Sequence, residues 1–347
     1  MNPRFWNASL VFVHYCGKAP PAKAQACPQT RTITPNPNPN QADGSSYSSY
    51  AAAPSPAPPG LLARANESLP AQIWMRGRAN LEATVSYLLA ELGMARASSL
   101  VLSGGSAGAT GVFLGLDFVA KLLPPSLRLM GAPDAGFFLD LPRAATSDFW
   151  YRSCFQAADA VWGGGAAGTL SSPACLAAAG AEPWKCYLPE FSLPFIETPV
   201  LVSNSAIDMW GLANVLDLGC VPTQNNASYN NFKPCAPAQW AQLQGWWRSF
   251  HDKLAPSLKA KPTTLSAFIA SCYVHEINVD YCSGQSLPNC RGWAKYLVPS
   301  SARGSAPATL AQATAQWFDL VVAGAPTPVW IDAAPYPMNP SCPYPPG

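Results

Sequence analysis

At 347 residues the chain is long enough for one large α/β domain, or two smaller ones, with a sizeable buried core. Its charge is sparse and balanced, 21 basic against 19 acidic residues with no run of either sign. That argues against nucleic acid or an anionic membrane surface as a partner, and for a neutral or apolar small group. Eleven cysteines against three scattered histidines do not make a Cys/His zinc site of normal spacing; they read as disulfides formed in an oxidising compartment.

In chain order, residues 10–15 (Leu-Val-Phe-Val-His-Tyr) read as a strand by their β-branched and aromatic content, and residues 1–18 as the first strand of a catalytic domain. Residues 19–71 are Pro-, Ala-, Ser- and Asn-rich with few large apolar side chains. They are expected to form a disordered or polyproline-like insertion. The remainder of one catalytic domain, 72–347, begins with a helix over 78–92, whose apolar residues recur at helical spacing up to Gly93. A strand over 99–103, a sharp turn and a helix over 107–123 closed by Pro124-Pro125 make a β-α unit of doubly wound type. Residues 150–195 read as irregular, a candidate lid. A strand over 198–204, an aromatic-rich helix over 239–254, a strand over 265–271 running on to His275, and a helix over 309–322 complete the pattern. The fold class expected from it is a mostly parallel, doubly wound α/β sheet with helices on both faces.

Sequons at Asn7, Asn66 and Asn226 agree with secretion. The chain opens without an apolar signal-peptide core and has no segment long and apolar enough to span a membrane. An N-terminally incomplete version of a secreted protein reconciles these signs, and the odd cysteine count fits either a partner left behind or a retained free thiol.

The chemistry centres on Gly104-Gly105-Ser106-Ala107-Gly108, where an apolar run breaks and a helix begins. The pattern reads as a nucleophile elbow. Its glycines give the backbone room for a strained conformation, Ser106 presents its hydroxyl to a cleft, and the Ala107 amide at a helix N-terminus can donate to an oxyanion. A serine needs a base, normally a histidine oriented by a carboxylate. His14 lies in a strand before Ser106 and His251 lies mid-helix, whereas His275 follows a strand in the order Ser, acid, His. Among the carboxylates between Ser106 and His275, Asp208 alone directly follows a clear strand. Asp117 lies inside a helix, Asp134 and Asp140 in a turn-rich stretch, and Asp252 has no strand before it. Glu276 neighbours the base, but alternation along a strand would turn it to the opposite face, as a structural or solvated residue.

Gly104-Gly-Ser-Ala-Gly108, Asp134-Ala-Gly-Phe-Phe138, Asn204-Ser-Ala-Ile-Asp208, Ser271-Cys-Tyr-Val-His-Glu276 and Pro335-Tyr-Pro-Met-Asn-Pro-Ser-Cys342, in this order, resemble the pectin acetylesterase and Notum family. The resemblance covers most of 1–18 and 72–345. It implies an α/β-hydrolase-like fold, serine carboxylesterase activity on extracellular esters, and a triad on Ser106, Asp208 and His275. The chain departs from the family pattern at Gly105 and Ala109, on either side of the elbow, and at Ala334 and Met338, where family members have cysteines. Family members also carry upstream strands and a Gly-Gly-Gly-Trp-like loop that supplies further oxyanion donors. No such motif stands in this chain, which leaves Ala107 as its one expected donor and lowers the activity expected of it.

The resulting expectation is a secreted, cell-wall serine esterase, monomeric and without cofactor or metal, that deacetylates a polysaccharide such as pectin. The alternatives are a Notum-like enzyme removing a fatty acyl group from a protein, and a catalytically impaired fragment or carbohydrate-binding module in which Trp150, Trp162 and Trp184 stack on sugars.

Overall fold

The computed structural model describes residues 77–162, 171–221, 235–277, 296–300 and 306–336, with 55–56, 72–73 and a few isolated positions before them. Five strands, β3 (Ser99–Gly105), β4 (Arg128–Asp134), β5 (Val200–Ser205), β6 (Leu265–Ala270) and β7 (Trp330–Ile331), form one sheet in that order. Every neighbouring pair is parallel. Ahead of it, β1 (Ser55–Pro56) and β2 (Gln72–Ile73) pair antiparallel. The expected strand over 10–15 apart from Val11, nearly all of segment 19–71, His14, the asparagines of the three sequons and Gly163 to Gly168 lie outside the described residues.

β5 and β6 are buried on both faces, β4 nearly so and β3 only partly, and the strand side chains alternate between two apolar clusters, as a pleated backbone requires. Leu129, Val200, Val202, Leu265, Ala267 and Ile269 point into the larger cluster. There they meet Val112, Phe113 and Leu116 of α2 (Ala107–Leu122) and Leu243, Trp246, Phe250 and Leu254 of α6 (Pro237–Ala260). Their neighbours Met130, Leu201, Phe268 and Ala270 point the other way, onto Leu310, Ala313, Trp317 and Val321 of α7 (Leu310–Ala323). Helices therefore cover both faces. α2 is buried almost all round its first three turns, since α1 (Gly77–Ala90) packs over its outer side. α7 starts at a capping box in which Thr309 Oγ1 accepts the Gln312 N–H, and ends at Gly324 in the left-handed conformation.

Three elements differ from their sequence patterns. β4 was not expected, because Arg-Leu-Met-Gly-Ala-Pro-Asp lacks β-branched residues and holds a proline. It is nonetheless a central strand, recruited by the flanking β3 and β5. Asp134 is consequently the last residue of a strand rather than part of a turn-rich stretch. Within 150–195, residues 150–162 and most of 171–195 are helical where an irregular stretch was expected. α3 (Trp150–Trp162), α4 (Pro173–Ala179), a 3₁₀ turn (Pro183–Tyr187) and α5 (Pro189–Ser192) bury Tyr151, Trp184, Tyr187 and Leu188 in the larger cluster. α6 continues past Pro256 to Ala260 and buries Ser257.

Disulfides Cys175–Cys186 and Cys220–Cys235 staple the loops, and Cys154 and Cys272 are disulfide-bonded as well. Closing a loop of 15 residues, as Cys220–Cys235 does, is worth about 3 kcal/mol in chain entropy. Among the described residues no helix is long and apolar enough to cross a membrane.

Candidate active site

The elbow is built by close approach. Ser106 stands between β3 and α2 with φ 53° and ψ −118°, a conformation that costs a non-glycine residue about 1–3 kcal/mol. Its N–H donates to the Asp134 carbonyl (2.9 Å), and its own carbonyl accepts the Ala109 and Thr110 amides. These bonds hold the turn, and the hydroxyl does not cap the helix. The strain thus sits on the serine itself, and the glycines serve a different need from the one their spacing suggested. A Cβ on Gly104 would stand 2.5 Å from the Gly108 carbonyl oxygen, and one on Gly105 would overlap the Glu276 carboxylate. The Ala107 amide heads α2, and no carbonyl among the described residues accepts its hydrogen.

Asp208 and His275 meet at a corner formed by the chain after β5 and after β6. Ala206 N–H bonds the Ala270 carbonyl, and Asp208 pairs with Val274 as an isolated parallel bridge, so the two exits run side by side. Asp208 Oδ2 accepts the Nδ1–H of His275 at 2.8 Å, and its Oδ1 accepts the Gly211 N–H at 2.7 Å. Gly211 opens a π-helical turn over Gly211–Val215, and a Cβ there would meet Trp246 at 2.5 Å. His275 Nε2 lies 2.8 Å from Ser106 Oγ. The three side chains singled out in the sequence are therefore brought into one hydrogen-bonded line, with Asp208 and His275 both buried.

Polar residues that sequence reasoning passed over hold this corner. Ser205 Oγ donates to the Cys272 carbonyl and accepts the Ile207 N–H at 3.0 Å. Asn204 Oδ1 accepts the Phe137 N–H, and its amide donates to the Ser205 carbonyl. Their signal was Asn-Ser at the end of a β-branched strand, two polar residues where apolar ones would be expected to continue into the core. Phe138 and Trp210 flank the imidazole, each with its ring centroid 6.3 Å away.

Burial alone would push His275 down. The Asp208 carboxylate, by charge and hydrogen bond, and at longer range Glu276 and Asp134, lift it above the ordinary histidine value. Burial moves Glu276 above the usual carboxylate range, against the pull of His275.

The other candidates are accounted for. Asp117 accepts the Glu197 and Thr198 amides and so fixes the approach to β5, and Asp140 is gripped by Arg152. His251 is held below its ordinary value by burial, packed on Trp247. Trp184 is core rather than a sugar platform, Trp150 is half-buried, and the side chain of Trp162 lies outside the described residues. Glu276 corrects an expectation. Residues 271–277 form no strand, only bends, a turn and the single bridge at Val274, so alternation does not carry through to Glu276, and its carboxylate turns back onto the elbow.

The pectinacetylesterase family model matches residues 43–343 of the chain. Pectin acetylesterase 11 of Arabidopsis thaliana is 28% identical over 253 residues, covering 71% of this chain and 58% of the relative. The palmitoleoyl-protein carboxylesterase notum1a of Danio rerio is 24% identical over 356 residues, covering 99% of this chain and 56% of the relative. The chain thus spans less than two thirds of the length of these curated relatives. In the solved structures, the Wnt deacylase Notum from Drosophila superposes with a TM-score of 0.61 at 21% identity, covering 86% of this chain and 72% of that one. The fold is accordingly α/β-hydrolase-like.

Proposed function

The chain belongs to the pectinacetylesterase family, and we propose that it is a serine carboxylic ester hydrolase that removes acetyl groups from a cell-wall polysaccharide such as pectin. The observation that carries this reading is the line Ser106 Oγ, His275 Nε2, His275 Nδ1, Asp208 Oδ2, with 2.8 Å at both bonds. Ser106 attacks the ester carbonyl while His275 takes its proton, and Asp208 holds the imidazolium that forms. The oxyanion lies over the N-terminus of α2, where the Ala107 amide donates to it. Collapse expels the sugar oxygen, which takes the proton from His275 and leaves an acyl group on Ser106. Water, deprotonated by His275, then releases acetate and restores the serine.

In this reading residues 72–347 form one catalytic domain, and 150–195 serve as a lid, since α3 sets Tyr151 against Phe138 and Trp210 beside the base. The disulfides support an extracellular location. The same rings favour a second reading, removal of a longer apolar acyl group. Hydrolysis rates on acetyl and long-chain model esters separate the two.

A fluorophosphonate is expected to label Ser106, and Ser106→Ala to abolish both labelling and turnover while the protein keeps its fold. Absence of labelling in the unmutated protein overturns the esterase reading. Sugar binding retained in that unreactive protein would point to a carbohydrate-binding module instead.

A further inference from the structure

Glu276 has no part in the chemistry just described, yet it touches both ends of it. It is joined to the base by one peptide bond, and its carboxylate lies against the last residue of β3. A Cβ on Gly105 would come within 3.0 Å of Glu276 Cδ as well as overlapping Oε1. The side chain is half-buried, and the forces acting on its carboxylate are burial and the charges of His275 and Asp208, with no hydrogen bond among them. The other groups that face the imidazole are already engaged. Asp208 is bonded to Nδ1 and to Gly211, Asp134 accepts the Ser203 hydroxyl at 2.6 Å, Ser106 meets Nε2, and Phe138 and Trp210 carry no charge.

We propose that Glu276 is a positioning residue: its charge sustains the His275 imidazolium that forms as Ser106 loses its proton, and its contact with Gly105 sets the gap between the nucleophile turn and the base turn. The role rests on the reading of His275 as the general base. Asp208 orients the ring through a hydrogen bond. Glu276 adds negative potential without competing for either ring nitrogen, so it strengthens the base and leaves the tautomer unchanged. Its contribution to the raised proton affinity of His275 agrees with this, coming after burial, which opposes, and after the two effects of Asp208. The contact also explains a residue choice at the elbow. Glycine at 105 makes room for the carboxylate, and a larger residue there would drive the two turns apart.

With three histidines in the chain, labelled imidazole signals can be followed individually by NMR as pH is varied. Glu276→Gln keeps the shape and removes the charge. The His275 midpoint is expected to fall by roughly half a pH unit or more, and the acid limb of kcat/KM on an acetyl ester to fall with it. His251, whose surrounding charges are Asp252 and Asp332, stays in place as an internal reference. A His275 midpoint that does not move in folded Glu276→Gln overturns the electrostatic role.

The spacing role is read by a pair of substitutions. Gly105→Ala is expected to lower kcat about tenfold or more with KM little changed, and Glu276→Ala in the same chain to recover part of the loss. A loss that Glu276→Ala does not relieve overturns it. Should Glu276→Gln fail to fold, Glu276→Asp retains charge but withdraws it from Gly105, and is expected to keep the midpoint while kcat falls; a fallen midpoint counts against the proposal. The titration needs no turnover, so failure of Ser106 labelling, which would overturn the esterase reading, is distinguishable from failure here.

Discussion

The turn that presents Ser106 and the corner that presents Asp208 and His275 solve the same problem by opposite means. The first relies on shape: a positive φ on the serine, backbone packed against backbone at Gly104 and Gly108, and no side-chain hydrogen bond within the turn. The second relies on polar satisfaction: Asn204, Ser205 and Asp208 are buried, each bonds nearby backbone groups, and Asp208 divides its two oxygens between the Gly211 amide and the His275 ring. A strained turn tolerates no added volume, whereas a buried polar corner tolerates no lost partner. Substitutions that add or remove a single group should therefore separate the two.

The largest effect is expected at the polar corner. Asp208→Asn keeps an oxygen for the Gly211 amide but can present the wrong tautomer of His275, and kcat should fall by about 10³–10⁴-fold with KM little changed. Next comes volume at the elbow. Gly104→Ala forces a methyl group against the Gly108 carbonyl and should cost about 2–3 kcal/mol in urea unfolding, with loss of turnover. Ser205→Ala removes a partner from two buried backbone groups, the Cys272 carbonyl and the Ile207 amide, and should cost about 1–2 kcal/mol. If Gly104→Ala proves milder than Ser205→Ala, the contrast between shape and polarity is wrong.

The smallest effect is in the pH profile. His275 must be neutral to accept a proton and is raised in the fold, so kcat/KM should decline, as pH is lowered, through a midpoint above the ordinary value of about 6.5. The sign for stability is the reverse. The imidazolium contributes fully below the unfolded-state value, and that contribution is lost as pH rises through the folded one, a dependence Asp208→Asn should flatten.

The same contrast explains what could be read from the amino-acid sequence. Steric demands leave local marks: glycines bracketing Ser106 show the elbow, and apolar periodicity shows α1, α2 and α7 within a residue or two of their ends. Strand exits also announce themselves: a β-branched strand led to Asp208, and an apolar strand together with the chain order Ser, acid, His pointed to His275. The miss at β4 has a physical cause, since a strand with glycine at its centre, proline near its end and no β-branched residue is made by its neighbours and carries little preference of its own. Glu276 was misjudged because alternation presupposes a strand, and β6 has already ended at Ala270. The supporting roles of Asn204 and Ser205 depend on partners as far away as Phe137 and Cys272, separations over which no local pattern operates.

The order of the strands also governs when the site can exist. Each strand from β4 to β7 is laid beside its immediate predecessor, so the sheet can grow at one edge as the polypeptide leaves the ribosome. The serine's turn can close as soon as β4 supplies the Asp134 carbonyl, but its hydroxyl waits for a histidine 169 residues further on. A nascent or partly unfolded molecule would thus carry a shaped but unactivated serine, and reaction with a phosphonate would report that β6 has docked.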